Sequence, residues 1–337
     1  MLIILVCWLA LILIGASHRE DNSPPLRKEQ ALSIRGICAI EIMIGHIGLA
    51  TGSAVLYPNR KAGILFVGIF FMLSGYGLSH SVDHKPDYLR HFFKRRVVSL
   101  LTPAYLVYMI DILINWLVLN QRTVLDLFNL RIFLFTLNWY VWEQLFFYLT
   151  FWGAHCFSVK WREIVIGLAS LGLIILAFLL KVSNPWYGST MCFLVGICFY
   201  RLERSEFLLS LKRKNAIFVV LGITLILSMM AFYILGNDSV LGNPLARNIA
   251  SVCFCIMTLI ILSQVEIGNA LSSFLGKCSY EIFLVHPFLI GIMKNVMDIS
   301  AVLYAVLVIV LSVGIAYIIH KIIDLADNRL RKKYQVP

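Results

Sequence analysis

Apolar residues fill the chain in long runs broken by short polar segments, at about 2–16, 36–53, 62–80, 97–120, 132–154, 163–181, 186–200, 215–235, 247–265, 279–297 and 301–323. A helix of about 20 residues crosses the ~30 Å hydrocarbon layer of a bilayer, and helices satisfy their own backbone hydrogen bonds there. The pattern predicts an all-α, polytopic membrane helix bundle with about 10–11 transmembrane helices. The first run, Met1 to Ala16, is short. It has the length of a signal peptide, but no basic segment precedes it and the basic residues follow it instead. The expected organisation is a short apolar helix and basic linker over 1–30, a transmembrane bundle over 31–323 and a basic tail over 324–337.

Composition supports this picture. Hydrophobic residues make up 60% of the chain and charged residues 14%, against about 25% charged in soluble domains. The net charge of +11 does not point to nucleic acid, because the cations lie in short loops between apolar runs. If the loops at 17–35, 81–96, 155–162, 201–214 and 266–278 and the tail all face the cytoplasm, they hold 21 of the 29 Lys and Arg residues. Among these are Lys94-Arg95-Arg96, Lys212-Arg213-Lys214 and Arg331-Lys332-Lys333. Positive residues mark cytoplasmic loops, so the expected setting is a cell (inner or plasma) membrane, with a cytoplasmic C-terminus. The eight cysteines include no CxxC pair and read as buried thiols, not as metal ligands or disulfides.

Within this frame the second run carries the most informative pair. Arg35 precedes His46 by eleven residues, close to three helical turns, so both side chains leave the helix on nearly the same face, about 16 Å apart. An ionisable group at that depth costs about 2.5–3.5 kcal/mol on insertion scales and normally faces a bundle interior or a wet cavity. A lone intramembrane histidine also serves as a tie between helices, and a basic residue at a helix end as a snorkelling anchor. Other ionisable residues inside the runs include Glu41, Asp111, Glu143 and His286. Glu41 lies about 140° around the helix from His46 and is poorly placed to orient it. Glu143, among aromatic rings in Asn138-Trp139-Tyr140-Val141-Trp142-Glu143-Gln144, suits a dry catalytic pocket and a structural hydrogen bond equally. Asp111 reads as structural. Gly75 and Gly77 read as helix-packing positions. The basic, aromatic segment Asp87 to Arg96 suits lipid headgroups, and equally the phosphates and adenine of a nucleotide-bearing donor.

Several ordered blocks together resemble the integral membrane acyltransferase-3 family of bacterial and other O-acyltransferases. They are Arg35-Gly36 with His46, Phe71-x-x-Ser74-Gly75-Tyr76, Phe92-x-Lys94-Arg95-Arg96 leading to Pro103-x-Tyr105, Trp139 to Tyr148, and Gly276-x-x-Ser279-Tyr280-x-x-Phe283-Leu284-x-His286. The chain departs from many relatives where Ser99 stands three after Arg96, where Phe283 stands for Tyr, and in having an apolar run before Arg35. The resemblance implies transfer of an acyl group, usually acetyl, from acetyl-CoA or another acyl-CoA to a hydroxyl of a cell-envelope glycan or lipid-linked glycan. It gives Arg35 and His46 the donor-handling and catalytic roles.

A neutral imidazole can take a proton from a sugar hydroxyl as it attacks the thioester. Glu143 and His286 join His46 as catalytic candidates. Arg35, Arg90, Arg95 and Arg96 are the candidates for holding CoA phosphates. Ser74, Tyr76 and Ser279 are the candidates for acceptor or oxyanion contacts. No metal is expected, and the expected partners are acyl-CoA, the glycan acceptor and membrane lipids, without nucleic acid. The rival classes are a transporter of a small anion or lipid-linked glycan, which normally carries paired broken helices in two related halves, and a structural membrane protein whose histidines only tie helices together.

Overall fold

The computed structural model describes residues 2–18, 26–117, 123–157, 161–182, 184–202, 215–235, 241–296 and 299–334. The basic Lys212-Arg213-Lys214 segment lies outside them. Helix dominates, in agreement with the predicted all-α bundle. In chain order the α-helices are α1 (Leu2–Leu13), α2 (Lys28–Thr51), α3 (Tyr57–His84), α4 (Phe92–Leu117), α5 (Leu130–Thr136), α6 (Trp139–Phe157), α7 (Arg162–Leu179) and α8 (Met191–Leu202). They continue with α9 (Asn215–Leu235), α10 (Ala246–Gln264), α11 (Ala270–Lys277), α12 (Ser279–Val296) and α13 (Ala301–Tyr334).

Six segments among the described residues are long and apolar enough to cross a membrane: Lys28–Thr51, Ala62–His84, Leu89–Leu117, Arg162–Leu179, Asn243–Gln264 and Ala301–Arg329. The bent pair α11 and α12, which turns by 74° at its break, makes a seventh if it counts as one span. Met191–Leu202 and Val219–Ala231 are shorter apolar helices. The run predicted at 132–154 divides at Leu137-Asn138, where the Asn138 side chain accepts from Tyr140 N at 3.1 Å and starts α6. At about 1.5 Å rise per residue, the twelve residues of α1 reach roughly 18 Å, short of a full crossing. Contacts among the described residues fasten α1 to the bundle. Trp8 donates to Glu41 (2.9 Å), Asn269 donates to the Leu11 and Ile14 carbonyls, and Ser17–His18 pairs antiparallel with Val265–Glu266.

Local signals explain the helix ends. Gly52 closes α2 in the left-handed region (φ 64°), its N–H bonded to the Gly48 carbonyl, and Pro58 sits in the first turn of α3. The short turn between them lays α3 against α2.

Lipid tails are as apolar as leucine, so helix pairs in a membrane are selected by close packing. Two glycine crossings do this here. A Cβ on Gly36 would lie 2.3 Å from the Ser272 carbonyl oxygen, and one on Gly276 would lie 1.9 Å from that of Leu32, so α2 and α11 touch backbone to backbone. In the same way Gly75 faces the Phe193 carbonyl at 2.2 Å and Gly196 that of Met72 at 1.9 Å, which joins α3 to α8. Gly77 meets nothing within 4 Å, so of the two predicted packing glycines only Gly75 packs. Gly196→Ala is expected to destabilise the bundle by about 1–3 kcal/mol, because the obstructing atom is backbone and cannot rotate away. Gly291→Ala, where a Cβ meets nothing within 4 Å, is expected to be neutral. Thermal melts of the two variants in detergent check the contrast.

Candidate active site

Helices α2 and α12 bring two imidazoles together across 240 residues of sequence. His46 Nδ1 lies 2.8 Å from His286 Nε2, and the ring centroids are 5.0 Å apart with the planes inclined by 29°. His286 is fully buried, and its Nδ1 lies 2.9 Å from the Ile282 carbonyl oxygen. His46, by contrast, is exposed. The placement follows from elements already described. The Gly36–Gly276 crossing fixes α11 on α2, and the 74° bend behind it turns α12 along a new direction. Ser279 is built into that bend, its hydroxyl donating to the Gly276 carbonyl (3.0 Å).

Three turns before His46, Arg35 is half-buried and has no hydrogen-bond or ion-pair partner among the described residues. Its electrostatic neighbours are Tyr140, Tyr148 and Arg96. Ser74 joins this group: Gln144 donates to its hydroxyl at 2.8 Å, and Tyr148 is its neighbour. Arg96 donates to the Tyr88 hydroxyl and, at 3.4 Å, to Ser81, which secures the start of α4 to the end of α3. Aromatic rings connect the two ends of the site. Tyr140 stacks on Phe71 (5.2 Å, 5°) and lies 4.8 Å from Phe283, which stands edge-on to His286 at 5.8 Å.

The sequence-predicted residues therefore divide. His46, His286, Arg35, Ser74 and Arg96 belong to one connected group along α2, α3, α4, α6 and α12. Arg90 and Arg95 are exposed beyond Arg96. Tyr76 points elsewhere, into a cluster with His80, Phe199 and Tyr200. Glu143 is 2% exposed and accepts from Thr190 at 2.6 Å, while its second oxygen has no partner among the described residues. Glu41 accepts from Trp8 on the face of α2 away from His46. Asp111 borders a cavity of about 270 Å³ with Tyr108, Asn138 and Pro287. Leu284, Pro287 and Phe288, which also line it, share one face of α12, and His286 leaves the opposite face. Tyr140, Tyr148 and Gln144 had no role in the sequence reading. Tyr148 closes one of its blocks, but only the fold sets it beside Arg35. Among the described residues no three His, Cys, Asp or Glu side chains converge as a metal site.

The fold is a multi-pass helical bundle in which α2 and α12 set two imidazoles side by side, with Arg35, which has no bonded partner among the described residues, three turns away. The chain belongs to the acyltransferase-3 family: the family model described as an acyltransferase domain matches residues 33–321, from just before Arg35 to beyond His286. No curated protein and no solved structure matches it. It is therefore a multi-pass membrane acyltransferase.

Proposed function

We propose that this acyltransferase moves a short acyl group, acetyl first among them, from acyl-CoA at the cytoplasmic face to a hydroxyl of a cell-envelope glycan. The observation that carries the proposal is the arrangement of Arg35 and His46 on one face of α2, with the cation unpaired among the described residues and the imidazole exposed and hydrogen-bonded to a second imidazole. Loop charge supports a cytoplasmic setting for the Arg35 end of α2, the side from which a cytosolic acyl-CoA would enter.

On this reading Arg96, Tyr88 and the exposed Arg90 and Arg95 receive the nucleotide end of the donor, through charge-assisted bonds and ring contacts. Arg35 is the next cation inward. The acceptor hydroxyl attacks the thioester carbon from the His46 side. An oxygen–carbon bond forms, the carbon–sulfur bond breaks, and the hydroxyl proton passes to His46 and then to the departing thiolate, so that ester and free CoA result. Ser74, held by Gln144 and beside Tyr148, is the hydroxyl of the connected group that can donate to the developing oxyanion. Mass spectrometry of envelope glycans from cells with and without the gene tests the proposal and reads acyl group and acceptor together. Loss of one acyl ester on one glycan is expected, and identical glycans would reject it.

A further inference from the structure

If His46 takes the proton of the attacking hydroxyl, its hydrogen bonds decide which ring nitrogen does so. A carbonyl oxygen only accepts, so the Nδ1 of His286, facing the Ile282 carbonyl, carries a proton. The Phe283 carbonyl faces the same ring, and Pro287 has no N–H to give it a helical donor. No carboxylate is among the bonded partners of His286. An unpaired cation in a fully buried position costs several kcal/mol, so His286 is neutral and its Nε2 is a lone pair. Two lone pairs cannot meet at 2.8 Å, so the facing Nδ1 of His46 carries the proton between them.

We propose that His286 is a positioning residue: anchored by the Ile282 carbonyl, it holds His46 in the Nδ1–H tautomer, so that Nε2 of His46 is the nitrogen that accepts the substrate proton. Once Nε2 is protonated, the bond from Nδ1–H to His286 becomes charge-assisted and strengthens. The imidazolium is thereby stabilised by a neutral neighbour. A carboxylate performs this task in hydrolytic triads, but here Glu41 is bonded to Trp8 on another face of α2. The inference rests on the acyl-transfer reading for its consequence, not for its geometry.

Nitrogen-15 NMR of histidine-labelled protein in lipid nanodiscs reads the tautomer directly, with the His46 signal assigned by its loss in His46→Gln. The expected spectrum shows His46 protonated at Nδ1 and unprotonated at Nε2. His286→Leu is expected to release the tautomer and to lower kcat/KM by about 10²-fold or more while KM for acetyl-CoA stays put. His286→Gln, whose amide oxygen can accept from Nδ1–H, is expected to keep the tautomer and recover to within about tenfold. A wild-type His46 protonated at Nε2 overturns the proposal, as does a tautomer unchanged in His286→Leu. Should His286→Leu fail to fold, the wild-type and His286→Gln spectra decide. Absence of acyl transfer by the unaltered protein rejects the transferase reading alone, because the spectrum still judges the tautomer.

Discussion

Substituting alanine for His46 is expected to abolish acyl transfer while leaving the protein inserted and folded. General base assistance is commonly worth about 10²–10⁴ in rate. The structural cost is small by comparison. His46 is exposed, so its removal opens no core cavity. It leaves the buried Nε2 of His286 without its donor, a loss of about 1–3 kcal/mol. The variant should therefore appear in membranes at near-normal levels with a modestly lowered melting temperature. Radiolabelled acetyl transfer from acetyl-CoA, measured beside membrane abundance, checks this. Transfer at the wild-type rate in His46→Ala would remove the imidazole from the mechanism.

The second large effect is expected at Arg35. A charge-assisted hydrogen bond contributes about 1.5–3 kcal/mol, so Arg35→Ala should weaken acyl-CoA binding by roughly 10- to 150-fold. The fold should tolerate the change, because no carboxylate is bonded to Arg35 and none is stranded when the guanidinium goes. Arg35→Lys should recover only part of the loss. An ammonium lacks the planar fork that binds phosphate or carbonyl oxygens in pairs. Arg201, paired with Glu163 at 2.9 Å and half exposed, supplies the comparison: Arg201→Ala should leave KM for acyl-CoA unchanged, and its effect on stability should be at most about 1 kcal/mol. Steady-state kinetics over an acetyl-CoA series distinguishes the two. An Arg35→Ala enzyme with wild-type KM and kcat would show that the cation is only an anchor.

Much of this protein is readable along the chain because the relevant physics is local. Apolar runs of spanning length force helices, since only helices satisfy an isolated backbone in lipid. The 3.6-residue repeat alone puts Arg35 and His46 on one face of α2, and Pro58 marks the start of α3. The five-residue spacing likewise sends Glu41 and His46 to different faces of α2. Pairing between helices is another matter. Hydrophobicity cannot select a partner when every partner, lipid included, is equally apolar. The choice falls to shape, through glycines whose neighbours are known only in three dimensions. Only the tertiary structure sets Gly276 against Leu32, bends the chain by 74° beyond it, and so brings His286 to His46 and Tyr148 to Arg35. It also sends Tyr76 into a separate aromatic cluster and gives Glu41 to Trp8, two contacts that no periodicity encodes.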